Sequence, residues 1–189
     1  FVVTWEDSAK DGSGYGIYAQ RYDASGDKDG SEFRVNTYTS GDQHNPEVTV
    51  LDGDKFIVTW SDQTTHANRP GDDKSGWAVE GQMYNADGTP LGDQFQVNTY
   101  TGSTQSRSSV ADLGSDGFVI TWQSSGQDGS GSGIYGQRYS ADGTPQGGEF
   151  QVNTQTYQQQ SDPSVALLDD GSFVVTWEGN YQDSGGSDY

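Results

Sequence analysis

From Gly126 to Tyr139 the chain reads GQDGSGSGIYGQRY, in which Gly131, Gly133 and Gly136 spell G-x-G-x-x-G. In a dinucleotide-binding enzyme that spacing leads a strand into a helix whose N-terminal amides hold a pyrophosphate. Here the glycines lead into IYGQRY, a run with the alternating period of a strand, so no helix N-terminus is offered to a phosphate. Two other stretches align with it, KDGSGYGIYAQRY at Lys10–Tyr22 and DKSGWAVEGQMY at Asp73–Tyr84, and the second lacks the glycine pattern. The dinucleotide reading fails.

What these stretches share is an acid. Asp11, Asp128 and Asp183 follow a tryptophan at one spacing, and Asp73 takes the same place behind an insertion. Glycine and serine come next. Two chemistries fit: a turn in which the carboxylate accepts backbone N–H groups two residues on, and a calcium loop built from carboxylate and carbonyl oxygens. The full EF-hand spacing and its bidentate glutamate are absent, and both readings stay open. Calcium is the one cofactor the residues suggest.

Other chemistry has little support. The chain has no cysteine, which excludes thiolate ligands and thiol nucleophiles. The two histidines, His44 and His66, read as unrepeated loop residues, and no G-x-S-x-G elbow occurs. No catalytic residue is expected. Trp77, Tyr100 and Tyr157 are aromatics that could stack on sugar rings.

The elements around these residues come as a repeat of roughly 55 residues. FVVTW at Phe1–Trp5 returns as FIVTW at Phe56–Trp60, FVITW at Phe118–Trp122 and FVVTW at Phe173–Trp177; VNT recurs at Val35, Val97 and Val152. This phasing gives a first repeat at 1–55, a second at 56–117 with an insertion at 61–75, a third at 118–172, and the start of a fourth at 173–189. Each repeat holds four strand candidates separated by turn signals such as DDGS and SADGTP. FVVTW is apolar on both alternating faces, which suits a strand in a sheet packed between two other sheets. The expected fold is all-β: four-stranded antiparallel sheets arranged as β-propeller-like blades or an open stacked array. Phe1 opens the chain inside a strand-like run, so the sequence reads as an excerpt of something longer.

Composition limits the partners. Only 30% of residues are hydrophobic, yet five Trp, eleven Tyr and seven Phe argue for a packed structure. A net charge of -19 opposes binding to nucleic acid or to an anionic membrane and attracts divalent cations. No apolar run reaches the roughly 18 residues of a membrane-spanning helix.

The units GEFQVNT, DPSVALLDDGSFVVTW and QDGSGSGIYGQRYSADGTP resemble tandem repeats of very large secreted bacterial proteins described as RTX-like, haemolysin-type calcium-binding or adhesin-like. The likeness spans essentially the whole chain, although the G-G-x-G-x-D nonapeptide does not recur here. It implies an extracellular or cell-surface location and a non-enzymatic role as scaffold, fibre or adhesin. Its partners would be neighbouring repeats or copies of itself. The alternative is a lectin-like propeller module that takes polysaccharide through its loop aromatics and acids.

The calcium reading has a direct test in thermal unfolding. If the Asp loops bind the ion, millimolar calcium raises the midpoint over EDTA and more than magnesium does, and Asp128→Asn shrinks the difference. Equal midpoints in EDTA and calcium leave these aspartates as turn residues.

Overall fold

A computed structural model describes residues 1–8, 10–63 and 76–180. Its strands are β1 (Val2–Ser8), β2 (Tyr15–Arg21), β3 (Phe33–Arg34), β4 (Gln43–Val50), β5 (Phe56–Gln63), β6 (Trp77–Tyr84) and β7 (Pro90–Gln96). They continue with β8 (Gln105–Asp112), β9 (Phe118–Ser125), β10 (Ser132–Tyr139), β11 (Pro145–Gln151), β12 (Gln160–Leu167) and β13 (Phe173–Gly179). Antiparallel pairing gives four sheets: β1-β2-β3, β4-β5-β6-β7, β8-β9-β10-β11 and β12-β13. We call them blades I to IV. The fold is all-β and propeller-like, as the repeat pattern predicts.

Each complete blade opens one strand before the tryptophan strand, at β4 and β8, so the sheet is offset by one strand from the sequence phasing. These opening strands are the inner ones. β4 packs against β8 and β8 against β12, and from them the blades fan outward.

The tryptophan strands carry the core. In β5, Phe56, Val58 and Trp60 face blade I, packing with Ile17, Ala19 and Val35, while Ile57 turns to the cluster shared with blade III. β9 repeats the arrangement: Phe118, Ile120 and Trp122 face blade II, and Val119 joins the cluster with Val165 in blade IV. Both faces of β5 and β9 are buried, which explains why the pentapeptide is apolar at every position but threonine. Phe56 stacks on Tyr84 and Phe118 on Tyr139, with ring centroids 4.9 and 5.0 Å apart. Each tyrosine hydroxyl then donates to a carbonyl of the preceding blade, Val35 at 3.3 Å and Val97 at 3.4 Å.

The four tryptophans are not equivalent in burial. Trp60 and Trp122 are fully buried, whereas Trp5 and Trp177 are only partly covered. The side chain faces the preceding blade. Among the described residues no sheet precedes blade I, and blade IV has two strands with which to enclose Trp177.

The glycines of the G-x-G-x-x-G run have a structural reason. They lead into β10, a strand, as the sequence indicates. A Cβ on Gly136 would lie 2.8 Å from the Phe150 ring, and one on Gly133 would lie 2.8 Å from an Asp128 carboxylate oxygen. Close approach inside the blade, and not phosphate binding, requires them.

The VNT segments leave the last strand of each blade and join one blade to the next. Asn36, Asn98 and Asn153 are buried. Each side-chain oxygen accepts the backbone N–H of Ile17, Val79 or Ile134, at 2.7–2.8 Å. Each amide nitrogen donates to Gln43, Gln105 or Gln160, the first residue of the following inner strand, at 2.9–3.1 Å.

A denaturant series tests this description. Trp122→Ala is expected to cost about 3–5 kcal/mol, the range for a buried large aromatic. Asn98→Ala, which orphans the Val79 N–H and the Gln105 amide oxygen, should cost roughly 2 kcal/mol or more. Trp5→Ala should cost clearly less than Trp122→Ala.

Candidate functional site where the inner strands converge

The three inner strands share a bulge. Register slips between His44 and Glu47, Ser106 and Ser109, and Ser161 and Ser164. Inside each slip one non-glycine residue adopts a left-handed backbone: Asn45 at φ 54°, Arg107 at 56° and Asp162 at 52°. Such a conformation costs on the order of 1 kcal/mol or more, least for Asn and Asp, and persists only where neighbours impose it.

The neighbours are identifiable. The residue after each tryptophan, in the preceding blade, accepts the N–H of the left-handed residue. Glu6 Oε1 takes Asn45 at 2.7 Å, Ser61 Oγ takes Arg107 at 3.1 Å, and Gln123 Oε1 takes Asp162 at 3.4 Å. One blade therefore sets the bulge of the next, and the bulges aim their side chains at a common place. Asn45, Glu47, Arg107, Ser108, Asp162 and Pro163 line a cavity of 330 Å³ there. The Arg107 guanidinium is ion-paired with the Asp162 carboxylate across it.

A second group adjoins it on blades I and II. His44 Nδ1 lies 2.7 Å from Glu6 Oε2, so one carboxylate holds both the imidazole and the Asn45 N–H. The His44 ring contacts both Tyr15 and Trp77, each tilted by 42°, with centroids 4.9 and 5.4 Å away. Tyr15 and Trp77 open the strand that follows the tryptophan strand in their blades, where blade III has Ser132. Tyr15 is 42% exposed, and His44 and Trp77 are partly so.

Here the repeat symmetry breaks. The first residue of the inner strand, Gln43, Gln105 or Gln160, is the same in all three, and so is Val48, Val110 or Val165. Between them stand His-Asn-Pro-Glu, Ser-Arg-Ser-Ser and Ser-Asp-Pro-Ser. A wider cleft of 740 Å³, between Val35, Thr37, Tyr84 and Pro90, is of another kind. It returns at Val97, Thr99, Tyr139 and Pro145, the same repeat positions, and so belongs to blade spacing.

The residues singled out from sequence fall elsewhere. Asp11 and Asp128 occupy equivalent turns after β1 and β9, and each accepts a backbone N–H two residues on, Ser13 at 3.0 Å and Ser130 at 3.1 Å. That is the turn geometry of the first reading. Among the described residues no group of three His, Asp or Glu side chains could hold a metal ion. Asp73, Asp183 and His66 lie outside the described residues. Of the candidate sugar-stacking aromatics, Trp77 joins the cluster; Tyr100 is partly exposed and Tyr157 66% exposed, both in the loops that lead to inner strands. His44 is a strand residue of β4 and not a loop residue, because its backbone pairs with Ser61. The expectation missed it by weighing the histidine against the repeat. The signal lay in the variable residues bracketed by constant Gln and Val.

No family model matches the chain, and no curated protein sequence does. Among solved structures, a thermostable family-43 glycoside hydrolase aligns with a TM-score of 0.46 at 11% identity, over 86% of this chain. The chain spans 61% of that enzyme's length, and the likeness concerns strand layout alone.

The cavity makes a pH prediction. Although the Glu47 side chain reaches solvent, partial burial pushes its carboxyl above the ordinary range. The folded state thus favours the protonated form. Its contribution is intact below the usual carboxylate range and is lost as pH rises toward the raised value. Glu47→Gln should raise the thermal midpoint at neutral pH and leave it unchanged near pH 3. Equal effects at both pH values would mean that the recess does not desolvate this carboxyl.

Proposed function

We propose that the chain is a glycan-binding propeller segment that takes a saccharide at the mouth of the inner-strand cavity. The observation that carries this reading is the His44 cluster. Tyr15 and Trp77 both contact the imidazole as tilted ring pairs, and Glu6 fixes it through Nδ1. A sugar offers an apolar C–H face and a rim of hydroxyls, and it is suited to partly exposed aromatic rings beside preorganised donors and acceptors. Asn45, Arg107, Ser108 and Asp162 supply such groups within the adjoining cavity. Their bulges are held by the preceding blade, so little ordering remains to be done on binding. The role is binding without catalysis, at an extracellular or cell-surface location, in keeping with the secreted repeats that the sequence resembles. No helix among the described residues is long and apolar enough to cross a membrane.

A second reading, a structural scaffold or adhesin stalk, is favoured by the clamp from Asn36, Asn98 and Asn153 to Gln43, Gln105 and Gln160. Each clamp joins a blade only to its neighbour, which is how repeat arrays extend.

A glycan array followed by titration calorimetry separates the two. The binding reading expects selective affinity that falls at least about tenfold in Trp77→Ala, near 1.4 kcal/mol, and falls likewise in His44→Ala. Tyr157→Ala, in a different loop, should leave it unchanged. A chain that binds no glycan on the array leaves the scaffold reading.

A further inference from the structure

We propose that the saccharide taken at the inner-strand cavity carries a free amino group, and that Glu47 selects it by pairing its carboxylate with the sugar's ammonium. This rests on the glycan-binding reading above and adds a substrate class to it: amino sugars, over neutral or acidic ones.

The first observation is the charge balance of the cavity. Three of the residues that line it are charged, Glu47, Arg107 and Asp162. Arg107 and Asp162 neutralise one another as an ion pair. The Glu47 carboxylate has no hydrogen-bond or ion-pair partner among the described residues. The recess therefore holds one uncompensated negative charge.

The second observation is where that charge points. Glu47 stands opposite Thr59 as Ser109 stands opposite Thr121, so the two hold one repeat position. Ser109 Oγ accepts the N–H of Val165, at 3.2 Å, in the inner strand of the following blade. The position thus looks toward the following inner strand, which for Glu47 is β8. A hydroxyl is enough to join one inner strand to the next, and Glu47 puts a carboxylate there instead. Burial alone pushes that carboxyl above the ordinary range, and no positive group offsets it. An ammonium placed beside it would restore the ionised form through a charge-assisted hydrogen bond.

The third observation separates the sugar classes. An acidic saccharide would have to take Arg107 from Asp162 and would set a second negative charge beside Glu47. The field of a chain of net charge -19 also repels it, and draws a cationic sugar in. A neutral sugar would bury the carboxylate further without pairing it, which costs free energy. Reach is adequate. His44 precedes Glu47 by three residues on β4, at most roughly 10 Å of strand. A short oligosaccharide with one ring at the Trp77 and His44 rings can therefore bring an amino group to Glu47.

The probes are two tetrasaccharides of one backbone, a glucosamine tetramer and its fully N-acetylated form. Each is titrated calorimetrically into the 189-residue chain at mildly acidic pH, where the amines are charged. The amino form should bind at least about tenfold more tightly, since only it can pair with the carboxylate. Glu47→Gln should bring the two affinities within about twofold of each other and leave that of the acetylated form unchanged. Asp116→Asn removes an exposed acid from the turn between β8 and β9 and should preserve the preference. Trp77→Ala should weaken both forms alike. Equal affinity for the two tetramers overturns the proposal and leaves glycan binding standing. So does a preference that survives Glu47→Gln, which would be attraction to the overall charge. Failure of the amino tetramer to bind overturns it as well, and takes the glycan reading with it only if the array is also empty.

Discussion

The buried asparagine of each VNT segment is the interaction on which the rest depends. A four-stranded sheet of this size cannot bury both faces of its tryptophan strand alone, so every blade needs a neighbour at a fixed distance and angle. The amide of Asn98 meets this need with one side chain. It accepts from Val79 in its own blade and donates to Gln105 at the head of the next inner strand. All partners are buried, where an unmade hydrogen bond costs most. The clamp therefore fixes where each inner strand begins. Everything downstream of Gln43, Gln105 and Gln160 inherits its position from that point.

The bulge is the next consequence. A few residues beyond the clamp the inner strand passes the end of the preceding tryptophan strand. The side chain waiting there, Glu6, Ser61 or Gln123, captures a backbone N–H that a regular ladder would have used. The left-handed residue is the result, and its side chain is thrown toward the converging strands. A repeated structural device thus presents unrepeated residues. Blade II offers asparagine and glutamate, blade III arginine, and blade IV aspartate, all onto one cavity. Repetition builds the frame, and variation inside it creates chemistry.

Charge fits the same division. The chain carries 28 acidic against nine basic residues. Several acids serve local turns: Asp87, Asp142 and Asp170 accept the hydroxyls of Thr89, Ser140 and Ser172, and each also accepts the backbone N–H two residues on, bonds that together hold their carboxyls below the usual range. Others are buried inside blade II, where Asp62 accepts from the Trp60 indole and Glu80 from Gln94. The acidic excess therefore includes turn formers and buried acceptors.

Much of the frame is legible in the amino-acid sequence alone. Local stereochemistry decides the strand runs and the aspartate and glycine turns, and local stereochemistry is written in short stretches of chain. The repeat implies the all-β blades, because a unit with two apolar faces can only stack. The sequence does not show that Trp5 differs from Trp122, since burial depends on which sheets lie in front of a blade. Nor does it show that His44, Tyr15, Trp77 and Glu6 form one cluster, or that Arg107 meets Asp162. Those residues come from neighbouring blades and meet only when the clamps bring the inner strands together. Periodicity reveals what each blade has in common; only the packed stack decides where their differences meet.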